Sequence, residues 1–397
     1  MHAELDPYTP GSGLAPRVLA GREPDVAAFD ALVARTKRQM PGRAPMLSGL
    51  RGVGKTVLLN RLRSHAEAHG WAVIQFEARP GTTGATAARR SVGQGFLRLS
   101  ARYQRRAHAD HFRQMLATIT SFTATLGLTG FSFGIDRDPL RASSGNLELD
   151  LQDAVEDACL ALRQEQRALG IFIDELQDLD AEFLEALLSV QHFANQRELP
   201  FFLVGAGLPN LPARLADVRS YAERLFDYRS IGRLSPRDAA EALRRPAETV
   251  AGDGCFPDEA LEFLLRESGS YPYFIQEFGS ALWATASATP FTLEDAALAA
   301  QLGRSQLDVG FFPSRWDRAT PVERDYLAAM ATDGESGSRT GDIARRLGRD
   351  PRSLGPARQS LIDKGIVFVP EYGRIAFSVP GMAEFIVRQE HSGNPDA

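Results

Sequence analysis

Eight consecutive residues constrain the fold of this chain more than any other stretch: Gly49-Leu50-Arg51-Gly52-Val53-Gly54-Lys55-Thr56. They fit the pattern G-x-x-x-x-G-K-[ST], in which glycines let successive backbone N–H groups curl around phosphate oxygens. The lysine can reach β- and γ-phosphates as a point charge, and the threonine hydroxyl can ligate Mg²⁺. Such a loop requires a strand before it and a helix after it, because the helix N-terminus adds a favourable dipole.

The residues on either side meet this requirement. Residues 45–48 form a short apolar run typical of a strand, and residues 57–62 have the spacing of an amphipathic helix. The chain holds 35 glycines but only three lysines (Lys37, Lys55 and Lys364), so a chance match to the full pattern would be rare. The alternative is a glycine-rich surface turn beside a lysine. We predict that residues 49–57, with Val57 included, bind the phosphates of a nucleotide.

A pair of carboxylates follows a second apolar strand. Residues 171–173 are Ile-Phe-Ile, and Asp174 and Glu175 come directly after them. Asp174 would hold Mg²⁺ together with Thr56, and Glu175 would polarise the attacking water. The alternative is two exposed acids at a strand end. The chain lacks the N-K-x-D pattern of Ras-type GTPases and an LSGGQ-like signature, so we expect ATP and Mg²⁺.

The order of elements predicts an α/β class with a parallel sheet. Apolar strands at residues 45–48, 71–76, 171–175 and 201–205 alternate with helical segments, as in a P-loop NTPase with helices on both faces. After residue 230 only helices are predicted, up to a hinge at Phe311-Phe312-Pro313. Three helices and a hairpin (residues 366–369 and 374–379) then follow the winged-helix plan.

We therefore predict six parts of the chain. They are a flexible tail (residues 1–16), an ATPase core (17–232), a helical and basic insertion within that core (about 79–148), a helical lid (233–312), a winged helix (313–391) and a final tail (392–397). In the insertion, residues 85–103 and 108–125 are expected to be helical, residues 131–135 to form a strand, and the helix at residues 150–168 to end at Gly170.

Two segments carry local positive charge although the net charge is −5 and the pI is near 5.9. Residues 79–113 contain eight arginines and one acid, Asp110. The winged-helix segment 339–364 contains seven basic residues and three acids, and Arg352 and Arg358 flank or lie on its third helix. Both segments could contact DNA or a partner, and both could equally be a solvated or packed helix face.

Cellular location is indicated only broadly. Two cysteines, Cys159 and Cys255, cannot build a disulfide framework, which fits a reducing cytosol. Residues 1–16 lack the apolar run of a signal peptide, and no run of 18 apolar residues occurs, so we expect a cytoplasmic protein without a membrane partner.

These motifs together resemble the AAA+ ATPase family, in the branch shared by STAND-like ATPases and origin-recognition initiators. The resemblance covers roughly residues 17–390. Besides the phosphate loop and the two carboxylates, it rests on four further motifs: Gly21-Arg22-Glu23, the fourth strand Phe201-Phe202-Leu203-Val204, Tyr221-Ala222-Glu223-Arg224 and Ser270-Tyr271-Pro272-Tyr273. It implies that Gly21, Arg22 and Pro272 lie near the adenine. It also implies that Arg224 is offered to the γ-phosphate of a neighbouring subunit, hence a homo-oligomer; the alternative for Arg224 is a surface ion pair.

Three departures from the family pattern matter. Gly205-Ala206-Gly207 stands where a polar sensor residue is usual, and Asn210 is the nearest substitute. Ser270 stands where related boxes have glycine, and no sensor arginine is evident beside Pro272. We therefore expect a slow ATPase, a molecular switch that couples ATP and ADP binding to DNA or partner binding. The alternatives are a STAND-type signalling protein with incidental hydrolysis and a nucleotide-tuned DNA-binding transcriptional regulator.

Overall fold

The computed structural model describes residues 1–103, 110–127 and 141–393. Residues 131–135, predicted to form a strand, lie outside this range. Up to residue 230 the elements are α1 (Glu23–Lys37), β1 (Ala44–Ser48), α2 (Lys55–Ala68), β2 (Ala72–Glu77), α3 (Gly81–Tyr103), α4 (Asp110–Thr125), α5 (Leu147–Arg163), β3 (Leu169–Asp174), α6 (Ala181–Gln196), β4 (Phe201–Gly207), α7 (Leu211–Val218), α8 (Ala222–Leu225) and β5 (Phe226–Ser230).

The five strands form one parallel sheet in the order β2-β3-β4-β1-β5, which confirms the predicted α/β class. Every residue of β1 and β4 is buried, as expected for strands covered on both faces. The sequence did not predict β5. It pairs with β1 at the edge of the sheet and is only partly buried, so polar residues such as Asp227 and Arg229 replace the apolar run.

The predicted end of α5 at Gly170 is wrong. The helix starts earlier, where the Asn146 side chain accepts hydrogen bonds from two backbone N–H groups, and it ends at Arg163. Gly170 instead lies in β3, paired with Val73. A Cβ atom there would come within 2.8 Å of the Phe172 ring and 3.3 Å of Trp71, so this glycine makes room for packed rings.

A layer of helices follows the sheet in the chain: α9 (Pro236–Ala251), α10 (Asp258–Ser268), α11 (Pro272–Thr285) and α12 (Leu293–Gln306). We call these four helices the lid. The Ser235 side chain caps α9 by accepting a hydrogen bond from the Asp238 N–H. Helix α12 passes at its end into a π-helical turn, Leu307–Phe311.

The first residues of the chain pack against the lid, in contrast to the flexible tail that we expected. Tyr8 is buried, and its hydroxyl donates to the Leu243 carbonyl oxygen at 2.5 Å. The Trp283 indole N–H donates to the His2 carbonyl oxygen, and Ser280 donates to Asp6. Aromatic burial and these hydrogen bonds offset the ordering entropy of a segment whose composition is otherwise loop-like.

The remaining elements form a C-terminal unit: α13 (Pro313–Trp316), α14 (Pro321–Ala331), β6 (Ser338–Arg339), α15 (Thr340–Arg346), α16 (Gly355–Asp363), β7 (Val367–Phe368), β8 (Arg374–Phe377) and α17 (Met382–Gly393). A capping box of Thr320 and Glu323 begins α14. The three strands form an antiparallel sheet in the order β6-β8-β7. The sequence predicted the hairpin but neither β6 nor α17, and the winged-helix description stays an interpretation. In the described part of the chain, no helix combines the length and apolar character needed to cross a membrane.

Candidate nucleotide-binding site

A cavity of about 580 Å³ lies where the predicted phosphate loop meets the lid. Its walls come from five parts of the chain: the N-terminal segment, the loop, the residue after β3, the lid, and the start of the C-terminal unit. The residues that matter below are Arg22, Arg51, Gly52, Val53, Gly54, Lys55, Thr56, Val57, Glu175, Pro272 and Arg315. The cavity is large enough for a small-molecule ligand of nucleotide size.

The loop has the backbone shape that the motif requires. Gly52 and Gly54 have φ angles of 81° and 91°, a region that side chains disfavour, and α2 begins at Lys55. Lys55 is 6% exposed and its Nζ donates to the Leu50 carbonyl oxygen at 2.8 Å. Burial lowers the pKa of Lys55 to about 8, although Glu175 and Asp174 nearby favour the charged form. A buried ammonium with donors to spare is suited to a bound anion.

Two predicted loop residues act through the backbone rather than by lining the cavity. The Gly49 N–H donates to the Gly207 carbonyl oxygen, and a Cβ atom at Gly49 would lie 2.1 Å from the Ile231 carbonyl oxygen. Gly49 therefore allows the loop to leave β1 between its two neighbouring strands. Leu50 contributes the carbonyl that holds Lys55.

Thr56 lines the cavity, and Asp174 lies behind it in contact with the Thr56 hydroxyl. The Thr56 hydroxyl donates to Asp174 Oδ2 at 2.6 Å, and Asp174 Oδ1 accepts the Glu175 N–H. Burial raises the pKa of Asp174, although these hydrogen bonds oppose the shift. A hydroxyl and a carboxylate in contact are the hard oxygen ligands that Mg²⁺ takes beside a nucleotide, so the donor set fits that ion.

Glu175 is held by residues on both sides. Its Oε1 accepts from Arg51 Nη1 at 3.1 Å, and its Oε2 accepts from Gln177 Nε2 at 2.5 Å. The sequence did not single out Gln177, which is 7% exposed and whose Oε1 also accepts the Leu208 N–H. A polar residue two positions after Glu175 was the only available signal.

Gln177 also explains the glycine at the end of β4, Gly207. A Cβ atom at Gly207 would lie 2.5 Å from Gln177 Oε1, so a larger residue could not share this position. Asn210, the predicted substitute for a sensor residue, is not among the cavity-lining residues. Within the residues that the structure describes, its Oδ1 is buried and accepts no hydrogen bond.

The residues predicted to lie near the adenine divide into two groups. Arg22 and Pro272 line the cavity. Arg22 is 8% exposed, and its Nη2 donates to the carbonyl oxygens of Val53 and Gly232, which joins the loop to the start of the lid. Gly21, with φ of 68°, packs against Asp238 instead, where a Cβ atom would come within 2.8 Å of a carboxylate oxygen.

Arg315, at the start of the C-terminal unit, also reaches the cavity. Its guanidinium lies 4.1 Å from the Phe311 ring centre, and Nη1 donates to the Phe311 carbonyl oxygen. Burial lowers its pKa to about 10, and the charge of Arg51 adds to this shift. Phe311 stacks on Tyr273 of the lid (4.7 Å between ring centres), whereas Phe312 stacks on Phe385 of α17 (5.2 Å). No local sequence pattern pointed to Arg315, because only the folded chain brings it to the loop.

Three predicted residues lie elsewhere. Arg224, on α8, is exposed and does not line the cavity of its own chain. Arg352 is exposed in the short 3₁₀ turn before α16. Arg358, on α16, is partly buried, and its Nε is buried without a hydrogen-bond partner in the described part of the chain. Its charge acts on Tyr326 of α14, so Arg358 packs within its own unit.

Two family matches cover different parts of the chain. Residues 18–204 match the AAA ATPase domain, and residues 309–386 match a domain of unknown function, DUF8462. No curated protein is significantly similar to the chain in sequence.

Several solved structures resemble the whole chain. A Walker-type ATPase of Pyrococcus abyssi is 15% identical, with 93% of this chain and 96% of that chain covered and a TM-score of 0.58. Cdc6p from Pyrobaculum aerophilum is 15% identical, with 98% and 99% covered and a TM-score of 0.46. The Aeropyrum pernix Orc1 protein, solved in complex with DNA, is 16% identical, with 96% and 95% covered and a TM-score of 0.43. At such identity the Pyrococcus structure supports the fold alone, and the two lower scores add nothing to it. The sequence motifs, the parallel sheet and the domain match agree: the chain has the P-loop NTPase fold, and its residues 18–204 are an AAA ATPase domain.

Proposed function

We propose that this chain binds ATP with Mg²⁺ in the 580 Å³ cavity and hydrolyses it slowly, as a molecular switch. The observation that carries the proposal is the convergence of Lys55, the Thr56–Asp174 pair and Glu175 on one cavity. Each group has the chemistry that one part of phosphoryl transfer needs. The AAA ATPase domain match supports a nucleotide-dependent activity.

The residues divide the work by their chemistry. Backbone N–H groups of residues 52–56 and the Lys55 ammonium would hold the β- and γ-phosphates and stabilise charge that develops on them. Thr56 and Asp174 would hold Mg²⁺, which neutralises phosphate charge when bound. Glu175 would orient a water molecule and accept its proton. Arg315 would add a second cation to the phosphates, in place of the sensor arginine that is missing beside Pro272.

Two variants test this assignment directly. We expect Glu175→Gln to bind ATP as tightly as the wild type and to lose turnover, and Lys55→Ala to lose both. Binding can be followed by calorimetry with Mg²⁺ and ATP, and turnover by phosphate release. ATP binding that is indifferent to Lys55→Ala would contradict the proposed site.

The output of the switch is a separate part of the proposal. The lid and the start of the C-terminal unit both contribute to the cavity, so nucleotide state can bias how that unit sits. We expect the C-terminal unit, with the exposed Arg352, and the basic segment 79–113 to contact DNA. Because Arg358 packs within its unit, Arg352→Ala should reduce the salt dependence of DNA binding more than Arg358→Ala does. An equal salt slope in both variants and in the wild type would point to a protein partner instead.

The proposal also includes an oligomer, in which Arg224 of one subunit acts at the site of its neighbour. An exposed arginine outside its own cavity can reach a neighbouring subunit's γ-phosphate only in an oligomer. We expect Arg224→Ala to lower turnover at high protein concentration and to leave it unchanged at dilution, where subunits separate. A concentration-independent loss would indicate a structural role for Arg224 in its own chain.

A further inference from the structure

Arg51, at a variable position of the phosphate loop, connects the water-orienting carboxylate to another part of the protein. Its guanidinium bonds Glu175 at 3.1 Å, with 27% of the Arg51 side chain and 19% of the Glu175 side chain exposed. Gln177 occupies the other Glu175 oxygen at 2.5 Å. Both carboxylate oxygens therefore accept hydrogen bonds from protein donors, and these two bonds fix the direction in which the carboxylate points.

The backbone of Glu175 is held in an unusual conformation. Its φ and ψ are 49° and 43°, the left-handed region that non-glycine residues seldom occupy. Such strain persists only where surrounding contacts hold it. The two side-chain bonds of Glu175 and the hydrogen bond from the Asp178 N–H to its carbonyl oxygen provide these contacts.

The other side of Arg51 faces the C-terminal unit. The Arg51 N–H donates to the Ser378 carbonyl oxygen at 3.3 Å. Its guanidinium lies so close to Gly365 that a Cβ atom there would come within 2.7 Å of Nη2. Ser378 is fully buried and its hydroxyl donates to the Gly365 carbonyl oxygen at 2.6 Å. Gly365 and Ser378 thus form one rigid contact surface for Arg51, which we call the seat.

We infer that Arg51 is a positioning residue, through which the seat of Gly365 and Ser378 holds the Glu175 carboxylate in an inactive arrangement. A shift of the C-terminal unit would release Arg51 and with it Glu175, so that turnover rises. This inference rests on the proposed function, because it concerns the same hydrolysis. It assigns the control of that hydrolysis to one side chain between two parts of the chain.

The glycines of the C-terminal unit offer a matched pair of variants. Gly365 and Gly348 each follow a short helix and have φ angles of 63° and 60°. An alanine would meet the same backbone strain at both positions. At Gly348 nothing lies within 4 Å of the added Cβ atom, whereas at Gly365 the methyl group must displace Arg51. Any difference between the two variants therefore reports on Arg51 and not on backbone strain.

The test measures steady-state ATP turnover and the apparent KM in the full chain. Loss of an ion pair of this exposure changes an equilibrium constant by a factor of about two to five. We therefore expect the kcat of Gly365→Ala to exceed that of Gly348→Ala by this factor, with little change in KM. Arg51→Ala, which keeps the loop N–H groups, should raise kcat similarly. Adding Gly365→Ala to Arg51→Ala should then have no further effect, and adding Glu175→Gln should abolish all turnover.

Two results would overturn the inference. One is equal kcat for Gly365→Ala and Gly348→Ala together with an unchanged or lower kcat for Arg51→Ala. The other is an effect of Gly365→Ala that persists at full size in the Arg51→Ala background. Either result, with a wild type that hydrolyses ATP through Glu175, would remove the role of Arg51 and leave the proposed function intact. Turnover that is absent from every variant would remove both.

Discussion

A single methyl group on the lid should test whether the N-terminal segment is part of the nucleotide site. Gly279 lies in the interior of α11, and a Cβ atom there would lie 2.5, 2.6 and 2.7 Å from three ring atoms of Tyr8. Tyr8 is the buried anchor of a segment in which nine of the residues from Thr9 to Ala20 line the cavity. Gly279→Ala should therefore weaken ATP binding without touching the phosphate loop.

The size of the effect follows from two opposing contributions. Alanine in a helix interior is favoured over glycine by about 0.5–1 kcal/mol. Relief of the clash requires the rigid ring to move by about 1 Å, and overpacking of this kind costs about 1–3 kcal/mol. The ring also carries the hydrogen bond to Leu243. A net loss of about 1–2 kcal/mol in docking the segment corresponds to ATP binding that is about fivefold to thirtyfold weaker.

Calorimetric titration of ATP into the variants would measure this, in the Glu175→Gln background so that hydrolysis does not interfere. Gly341→Ala is the matched control, because Gly341 also lies in a helix and nothing lies within 4 Å of its added Cβ atom. Removal of the ring should relieve the clash, so that Tyr8→Ala combined with Gly279→Ala binds no more weakly than Tyr8→Ala alone. ATP affinity equal to that of the control, in a folded Gly279→Ala protein, would refute the role of the segment.

Three further predictions concern charged groups. Arg315→Ala should weaken ATP binding about tenfold and leave AMP binding unchanged, because a charge-assisted bond to phosphate is lost; an equal loss for AMP would place Arg315 at the base instead. Because burial lowers the pKa of Lys55 to about 8, its positive charge is lost as the pH rises through 8. ATP affinity should therefore fall by up to about tenfold per pH unit above that value. Calorimetry from pH 7 to 9.5 measures this, and an ATP affinity that does not change with pH would contradict it. Burial alone would raise the pKa of Glu323, but the hydrogen bond from Lys364 lowers it from 4.5 to about 2. The stability that this pair gives is therefore present above pH 4.5 and is lost as the pH falls towards 2. In thermal unfolding, Glu323→Gln should lose less stability on acidification than the wild type does.

Local patterns were sufficient to predict the centre of the site. The phosphate loop and the Asp174-Glu175 pair each lie within a few residues of a strand end, where sequence spacing and spatial position coincide. Parallel strands buried on both faces are continuous apolar runs, which made four of the five strands readable. Edge strand β5 was missed because it is only partly buried, so it can contain polar residues and its sequence looks like that of a loop.

The other parts of the site depend on distant pairs of residues. The position of Gln177 requires the glycine at Gly207, and Arg315 lines the same cavity as the loop although it lies far along the chain, at the start of the C-terminal unit. The N-terminal residues have the composition of a loose tail, and the burial of Tyr8 against Gly279 becomes visible only in three dimensions. Glycine at positions 170, 207 and 279 serves side-chain packing, which backbone rules for glycine do not anticipate.

The two adjacent rings at Phe311 and Phe312 restrict how the chain can bend at this point. Phe311 stacks on Tyr273 of the lid, whereas Phe312 stacks on Phe385 of α17 and also meets Phe274 of the lid edge-on. A gradual rotation between these residues would separate one stack before another could form, and intermediate angles would lose ring contact. The lid and the C-terminal unit should therefore adopt a few discrete relative orientations and not a continuous range. Distance measurements between labels on α11 and α17 should show two populations whose weights change with nucleotide, and no single distance that drifts.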